Sequence, residues 1–261
     1  MVTAFFEPGL PRVFAHRGLA ATTQLSEGAP ENTLLAFAAA LGVGVSYIET
    51  DVHGSRDGVA VVSHDPDLTR LAGIQSAVSD YTINELRQID LGFGQSFCSL
   101  AEALDAFPET RFNIDLKSAD AIQPTVDAII AANAVKRVLV TSFSEARRLA
   151  AVRQLPGVAT SAGATRFATA LAAGKLALAP VLRRALREVD CVQVPTRHFG
   201  FAITTPPMIR RLHAAGVEVH VWTINDEPAM HALLDLGVDG LVTDRADLAM
   251  KVLAERAEQP F

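Results

Sequence analysis

Two carboxylates one residue apart, Glu49 and Asp51, a third carboxylate spaced likewise from a lysine, Asp115 and Lys117, and a histidine heading each of two motifs, His16-Arg17-Gly18 and His64-Asp65, are the residues of this chain whose types and spacing could do chemistry. Side chains two apart on a strand leave on the same face, roughly 6–7 Å from one another. Glu49 and Asp51 can therefore converge with Asp115 and Lys117 if their strands are neighbours. Three carboxylates gathered in a small space repel strongly unless a cation sits among them. Oxygen-only ligands favour one hard divalent cation, Mg²⁺ or Ca²⁺, over zinc, which would recruit His or Cys. His16 and His64 could ligate a metal, but two imidazoles with ordinary values near neutrality suit a proton donor and acceptor better. Arg17, as a two-pronged donor, and Lys117, as a point charge, would meet a phosphodiester anion. Together these groups predict a metal-assisted phosphoryl site. Each also has a plainer reading. A histidine at a strand end can be structural, Asp115 and Lys117 can be an ion pair, Glu49 and Asp51 can hold a loop through backbone N–H groups, and Trp222 can be packing as well as a substrate contact.

Such groups need a scaffold that brings several strand ends to one place. An alanine-rich helix, a Gly-Val turn and a β-branched run recur at 36–47, 209–222 and 230–243. Glycine just past a helix end takes the left-handed conformation cheaply, and a Val/Ile run fits a strand buried on both faces. The repeat therefore predicts parallel strands with helices between them. Candidate strands fall near 12–15, 46–52, 111–116, 138–142, 157–161, 191–194, 217–222 and 239–243, and eight strands close a (β/α)8 TIM barrel. An open doubly wound sheet would carry a glycine-rich phosphate turn after its first strand, which His16-Arg17-Gly18 is not. In a barrel, His16 falls at the tip of the first strand, Glu49 and Asp51 end the second, Asp115 and Lys117 end the third, Trp222 ends the seventh and Asp244 follows the eighth. All lie at the C-terminal rim, where barrel active sites are built. Between Asp51 and Ser99 the rhythm breaks into an Arg56-Asp57-Gly58 turn, a second apolar run and a polar stretch with one short helix. Residues 53–98 are therefore expected to form a small insertion over the C-terminal mouth of a single domain spanning 1–261. Asn32 is expected to cap the helix that follows, and Thr82/Glu85, Ser99/Glu102 and Ser142/Glu145 each fit a capping box.

With 261 residues, 49% of them hydrophobic, the chain can bury a large core. A net charge of −6 argues against a nucleic-acid partner while leaving room for a local cationic pocket. Cys98 and Cys191 have apolar neighbours and no metal or disulfide spacing, so they read as buried thiols in a reducing compartment. The N-terminus has no basic leader followed by an apolar run, and no stretch reaches the roughly 18 apolar residues of a membrane span. A soluble, cytoplasmic protein acting on a small molecule is expected, without membrane association; oligomeric state leaves no mark in the sequence.

Ala15-His16-Arg17-Gly18, Pro30-Glu31-Asn32-Thr33, Glu49-Thr50-Asp51-Val52, Asp57-Gly58 with Val61-Val62-Ser63-His64-Asp65, Asn113-Ile114-Asp115-Leu116-Lys117 and Val221-Trp222-Thr223-Ile224-Asn225 occur in this order. In order and spacing they resemble the glycerophosphodiester phosphodiesterase family, over residues 12 to 250. The resemblance implies a (β/α) barrel with an insertion after the second strand, and hydrolysis of a glycerophosphodiester to sn-glycerol 3-phosphate and an alcohol with a divalent cation. It implies His16 and His64 as the acid/base pair, Glu49, Asp51 and Asp115 as metal ligands, and Arg17 and Lys117 as phosphate-binding residues. Glu31 would orient a substrate hydroxyl or a histidine. The family usually carries Glu where this chain has Asp115, and the shorter reach bears on which cation is held. Attack by the neighbouring glycerol hydroxyl, through a cyclic phosphate, and direct attack by water both remain open. So do two rival functions: a non-catalytic phosphate-ester binder, and a lysophospholipase D-type enzyme docking on an anionic membrane through its basic 166–187 stretch.

Overall fold

A computed structural model describes every residue except 1, 2, 8, 21–27, 199 and 259–261. The expectation about an N-terminal leader falls partly on the first two and to that extent lies outside the described residues. The strands are β1 (Arg12–His16), β2 (Tyr47–Gly54), β3 (Ala60–Val62), β4 (Arg111–Leu116), β5 (Val138–Thr141), β6 (Ala159–Thr160), β7 (Cys191–Val194), a short hairpin of β8 (Arg197–His198) and β9 (Phe201–Ala202), β10 (Glu218–Val221) and β11 (Gly240–Thr243). The helices are α1 (Leu34–Gly42), α2 (Thr69–Ala72), α3 (Ile83–Leu86), α4 (Leu100–Ala106), α5 (Ile122–Ala131), α6 (Glu145–Val152), α7 (Ala164–Lys175), α8 (Ala179–Ala185), α9 (Pro206–Ala214), α10 (Glu227–Asp235) and α11 (Ala246–Glu258).

Eight parallel strands pair in the order β6-β5-β4-β2-β1-β11-β10-β7. A bridge between Ser161 and Cys191 joins the two ends, so the sheet is the expected TIM barrel, its positions close to those read from the sequence. Its two faces follow from the period-2 alternation of strand side chains. Phe14, Tyr47, Leu139, Ala159, Cys191 and Val242 point inward and pack on Phe5 and Phe6, which plug the lower end. The alternate residues, among them Ile48, Phe112, Ile114, Val140 and Val219, pack outward under the helices in the main core. One consequence fixes the site: the inward series that starts at Tyr47 continues to Glu49 and Asp51, and the one through Asn113 continues to Asp115 and Lys117.

After β2 the chain turns back at Ser55–Gly58, with Gly58 at φ +74°, and β3 pairs antiparallel with β2. The segment up to α4 has its own apolar cluster of Val61, Leu68, Val78, Ile83, Leu86 and Phe97. The capping boxes at Thr82/Glu85 and Ser99/Glu102 are formed. Two other caps differ from expectation. Thr33, not Asn32, caps α1 by accepting from the Ala36 N–H, and Ser144, not Ser142, caps α6. In both cases the expected residue has a stronger partner elsewhere: Asn32 bonds Thr50 and Asp51, and Ser142 donates to the Leu116 carbonyl. Cys98 and Cys191 are buried free thiols. No helix among the described residues is long and apolar enough to cross a membrane.

Candidate active site

Strand register places the carboxylates side by side. β2 lies between β1 and β4, with His16 opposite Glu49, Glu49 opposite Asn113 and Asp51 opposite Asp115. Lys117 Nζ bridges Asp51 Oδ1 and Asp115 Oδ2 at 2.8 Å each. His16, Arg17, Glu49, Asp51, His64, Asn113, Asp115, Lys117 and Trp222 line one cavity of about 380 Å³ at the C-terminal mouth. Of the residues given a role from the sequence, all but Glu31 line this cavity; Glu31 sits behind Arg17, and the rim residue Asp244 sits behind His16.

Each imidazole is braced from behind by an aspartate. His16 Nδ1 lies 2.6 Å from Asp244 Oδ1, and His64 Nδ1 lies 2.7 Å from Asp65 Oδ1. An ionised carboxylate only accepts, so each Nδ1 carries a proton and donates it, and Nε2 is the ring nitrogen not engaged by that aspartate. Asp244 is itself fixed by Asn225, whose Nδ2 donates to Asp244 Oδ2 at 2.7 Å and whose Oδ1 accepts from the Asp244 N–H at 2.9 Å. His53, behind Asp51, lies with Nε2 3.2 Å from the His64 carbonyl; burial lowers its pKa.

Arg17 stands in a left-handed turn at φ 59°, followed by Gly18 at φ +84°. A Cβ on Gly18 would come within 2.7 Å of the Ala36 backbone, so glycine lets this turn lie against α1. From there Arg17 donates to Glu31 Oε1 at 2.9 Å and lies 3.4 Å from Asp51. Asn32, buried and also at positive φ (57°), donates to Asp51 Oδ2 at 3.2 Å and accepts from Thr50.

Charge separates the three carboxylates. Burial and the neighbouring Asp51 push the Glu49 carboxyl up to about 8. Burial also raises Asp115. Burial alone would raise Asp51 too, but Lys117 and Arg17 outweigh it and hold Asp51 below its ordinary value. Burial disfavours the Lys117 ammonium, yet Asp51 and Asp115 hold its pKa above the ordinary value. For His16 burial opposes the charged form, and Glu49 and Asp244 reverse the balance, so its pKa is raised. Lys117 and Arg17 both meet Asp51 and Lys117 alone meets Asp115, so among these ion pairs Glu49 has only His16, at 3.9 Å. Asp115 Oδ1 and Asn113 Oδ1 are moreover buried oxygens without a hydrogen-bond partner. Buried carboxylates with orphaned oxygens fit a hard divalent cation. A separate group on α10 and α11, Glu227, His231 and Glu255, brings its ligand atoms within 4.8 Å of one another, but Lys251 lies 3.7 Å from Glu227 and 3.5 Å from Glu255 and already offsets their charge.

The other half of the cavity has a different character. From β5 round to β10 its lining includes Phe143, Phe167, Leu171, Pro195, Ile203 and Trp222, with no charged side chain among the described lining residues of that half. Trp222 meets Phe143 edge to face at 6.1 Å. Within the basic 166–187 stretch, Arg166 pairs with Glu145 at 2.9 Å. Sequence reasoning put Asp244 on the rim without giving it a role, named Asp65 and Asn225 only within motifs, and read Asn32 as a helix cap. Asp244 had a legible signal, a carboxylate just past the last strand on the rim; Asn32 resembled an ordinary helix cap.

The family model for the glycerophosphoryl diester phosphodiesterase family matches residues 16–248. A curated Mycobacterium tuberculosis protein named "Probable glycerophosphodiester phosphodiesterase 2" is 44% identical over 255 residues, covering 97% of this chain and 95% of its own length. A solved structure from Silicibacter pomeroyi superimposes with a TM-score of 0.80 at 23% identity, over 98% of each chain. An Oleispira antarctica phosphodiesterase solved with its product sn-glycerol 3-phosphate gives 0.75 at 23% identity, over 94% of this chain and 97% of that one. At these identities the two structures speak for the fold. The family match over most of the chain, the close relative and the barrel that carries the motifs together place this chain in the glycerophosphoryl diester phosphodiesterase family, as an enzyme that hydrolyses phosphodiesters.

Proposed function

We propose that this chain hydrolyses glycerophosphodiesters to sn-glycerol 3-phosphate and an alcohol, using one divalent cation and two histidines. The observation that carries the reading is the pair of imidazoles, each held through Nδ1 by an aspartate, in one cavity with three buried carboxylates. Glu49, Asp51 and Asp115 would hold Mg²⁺ or Ca²⁺. When bound, the ion supplies Lewis-acid polarisation of a phosphoryl oxygen. Arg17 and Lys117 bind the phosphodiester anion and stabilise the charge that grows on its oxygens as the transition state forms. One Nε2 takes the proton from the attacking oxygen as the new P–O bond forms; the other gives a proton to the departing alcohol oxygen as the old P–O bond breaks. Trp222 borders the space for the alcohol. The test is release of glycerol 3-phosphate from a panel of deacylated phospholipids by chelator-treated and ion-reconstituted protein. Activity that survives complete chelation overturns the metal assignment. Turnover of a substrate lacking the neighbouring hydroxyl separates the two routes: normal rates exclude the cyclic one.

The uncharged half of the mouth favours a second reading, that a lysolipid's aliphatic chain lies along Phe167, Leu171 and Ile203. Under it, Leu171→Ser slows a monoacyl substrate while leaving glycerophosphocholine unaffected; equal effects on both overturn it.

A further inference from the structure

Arg70 comes from the four-residue helix α2 in the segment between β3 and α4, outside the cavity lining, and its side chain is 49% exposed. It nevertheless makes three charged hydrogen bonds. Its Nε donates to Asp65 Oδ2 at 2.6 Å, and its two terminal nitrogens donate to Glu31, at 3.0 Å to Oε2 and 2.6 Å to Oε1. Each of those carboxylates has a second partner in the site. Asp65 Oδ1 braces His64 Nδ1 at 2.7 Å, and Glu31 Oε1 accepts from Arg17 at 2.9 Å. One guanidinium thus links two arms, His64 with Asp65 and Arg17 with Glu31.

We propose that Arg70 is a positioning residue that fixes His64 and Arg17 relative to each other across the join between the 53–98 segment and the barrel. The proposal rests on the reading of His64 as a proton-transfer group and Arg17 as a phosphate-binding group. Physics supports the linkage. Asp65 and Glu31 are both anionic, belong to different loops and lie within hydrogen-bond reach of the same cation, so without it they repel. A planar fork with five donors can hold one carboxylate with two nitrogens while its Nε holds another; a lysine ammonium has no such fixed geometry. Loss of the linkage frees Asp65 and Glu31 to move apart, and His64 and Arg17 move with them. The role is coupling, so its signature is also coupling.

Steady-state kinetics on glycerophosphocholine, with the divalent ion present, are measured for Arg70→Ala, Asp65→Asn and Glu31→Gln singly, in pairs and together. Arg70→Ala is expected to lower kcat/KM by roughly 10–100-fold, the usual cost of losing a partner that orients site groups. The loss should appear in kcat through His64 and in KM through Arg17, with thermal unfolding close to that of the parent chain. Asp65→Asn and Glu31→Gln are expected to be non-additive when Arg70 is present and additive, within about twofold, when it is alanine. Arg70→Lys should restore one of the two parameters and not both, and millimolar guanidinium should partly rescue Arg70→Ala. If Arg70→Ala does not fold, Arg70→Lys serves in the same cycle, where the coupling should shrink. Kinetics within about twofold of the parent chain, or coupling between Asp65 and Glu31 that persists without the guanidinium, overturn the proposal. His64→Ala and Arg17→Ala are run alongside. If they retain activity, the reading of the site fails; if they lose it while Arg70→Ala does not, this inference alone fails.

Discussion

At the scale of single residues, each of the two histidines is held through Nδ1 by an aspartate. If both transfer protons, His16→Ala and His64→Ala each lower kcat by roughly 10²–10⁴-fold, and near-normal turnover by both variants sinks the assignment. Asp244→Asn removes the carboxylate that fixes the His16 tautomer, and a drop of about 10–100-fold is expected in the same assay with little change in KM. Glu49 offers a test that does not depend on turnover. In the ion-free protein its carboxyl gives up its proton near about 8, whereas in the unfolded chain it does so near ~4.3. A group raised on folding contributes stability that is complete below the unfolded value and lost as pH rises through the folded one. Glu49→Gln stays neutral throughout, so in chelator its urea midpoint should gain on the parent chain between about pH 5 and 9, and Mg²⁺ or Ca²⁺ should close the gap by binding the parent. A gap that does not widen with pH contradicts the account.

Secondary-structure elements decide whether these residues meet. His16, the two β2 carboxylates and the β4 carboxylate share a rim because β1, β2 and β4 are hydrogen-bonded neighbours in register. A one-residue slip of β2 would turn Glu49 and Asp51 outward to the helices. The Arg17-Gly18 turn is the joint between β1 and the packing of α1. Gly18→Ala places a Cβ against Ala36 and forces an unfavourable φ, so it should cost at least about 1 kcal/mol in denaturant unfolding and, on the proposed reading of Arg17 as a phosphate-binding group, raise KM. Stability and KM unchanged from the parent would count against the joint. These elements were largely legible beforehand. The Gly-Val turns after the alanine-rich helices marked α1, α9 and α10, and β-branched runs marked the strands, because those signals are local. The two misplaced caps show the limit: Asn32 and Ser142 have cap chemistry, but tertiary partners claimed their side chains.

For the molecule as a whole, a polar network closes the end of the barrel opposite the site. Arg12, 3% exposed, donates to both Glu218 oxygens at 2.9 and 2.8 Å, to Tyr47 and to the Phe6 carbonyl. It ties the Phe5–Phe6 plug to β1, β2 and β10. Burial would raise the Glu218 carboxyl, but hydrogen bonds from Arg12 and His220 outweigh it and hold it at about 2. For a group lowered on folding, stability is present above the unfolded value and lost as pH falls through the folded one. Glu218→Gln should therefore cost about 1.5–3 kcal/mol at neutral pH. Its deficit should shrink as pH falls from about 5 towards 2, followed by urea unfolding of both chains. A deficit independent of pH would show that the carboxylate charge is not what holds the plug.

By itself, the sequence determined the barrel, the rim and the acidic, basic and imidazole groups on it. Strand alternation and the helix-glycine-strand rhythm are local consequences of side-chain shape and backbone freedom, and they carry those groups to one end. Only the tertiary structure decided who braces whom: Asp244 behind His16, Asn225 behind Asp244, Asn32 on Asp51, and Arg70 across Asp65 and Glu31. Most of these pairings join residues far apart along the chain, up to 228 residues, and arise from how strands, loops and the 53–98 segment come together. No spacing along the chain encodes them, because their geometry exists only once the barrel has closed.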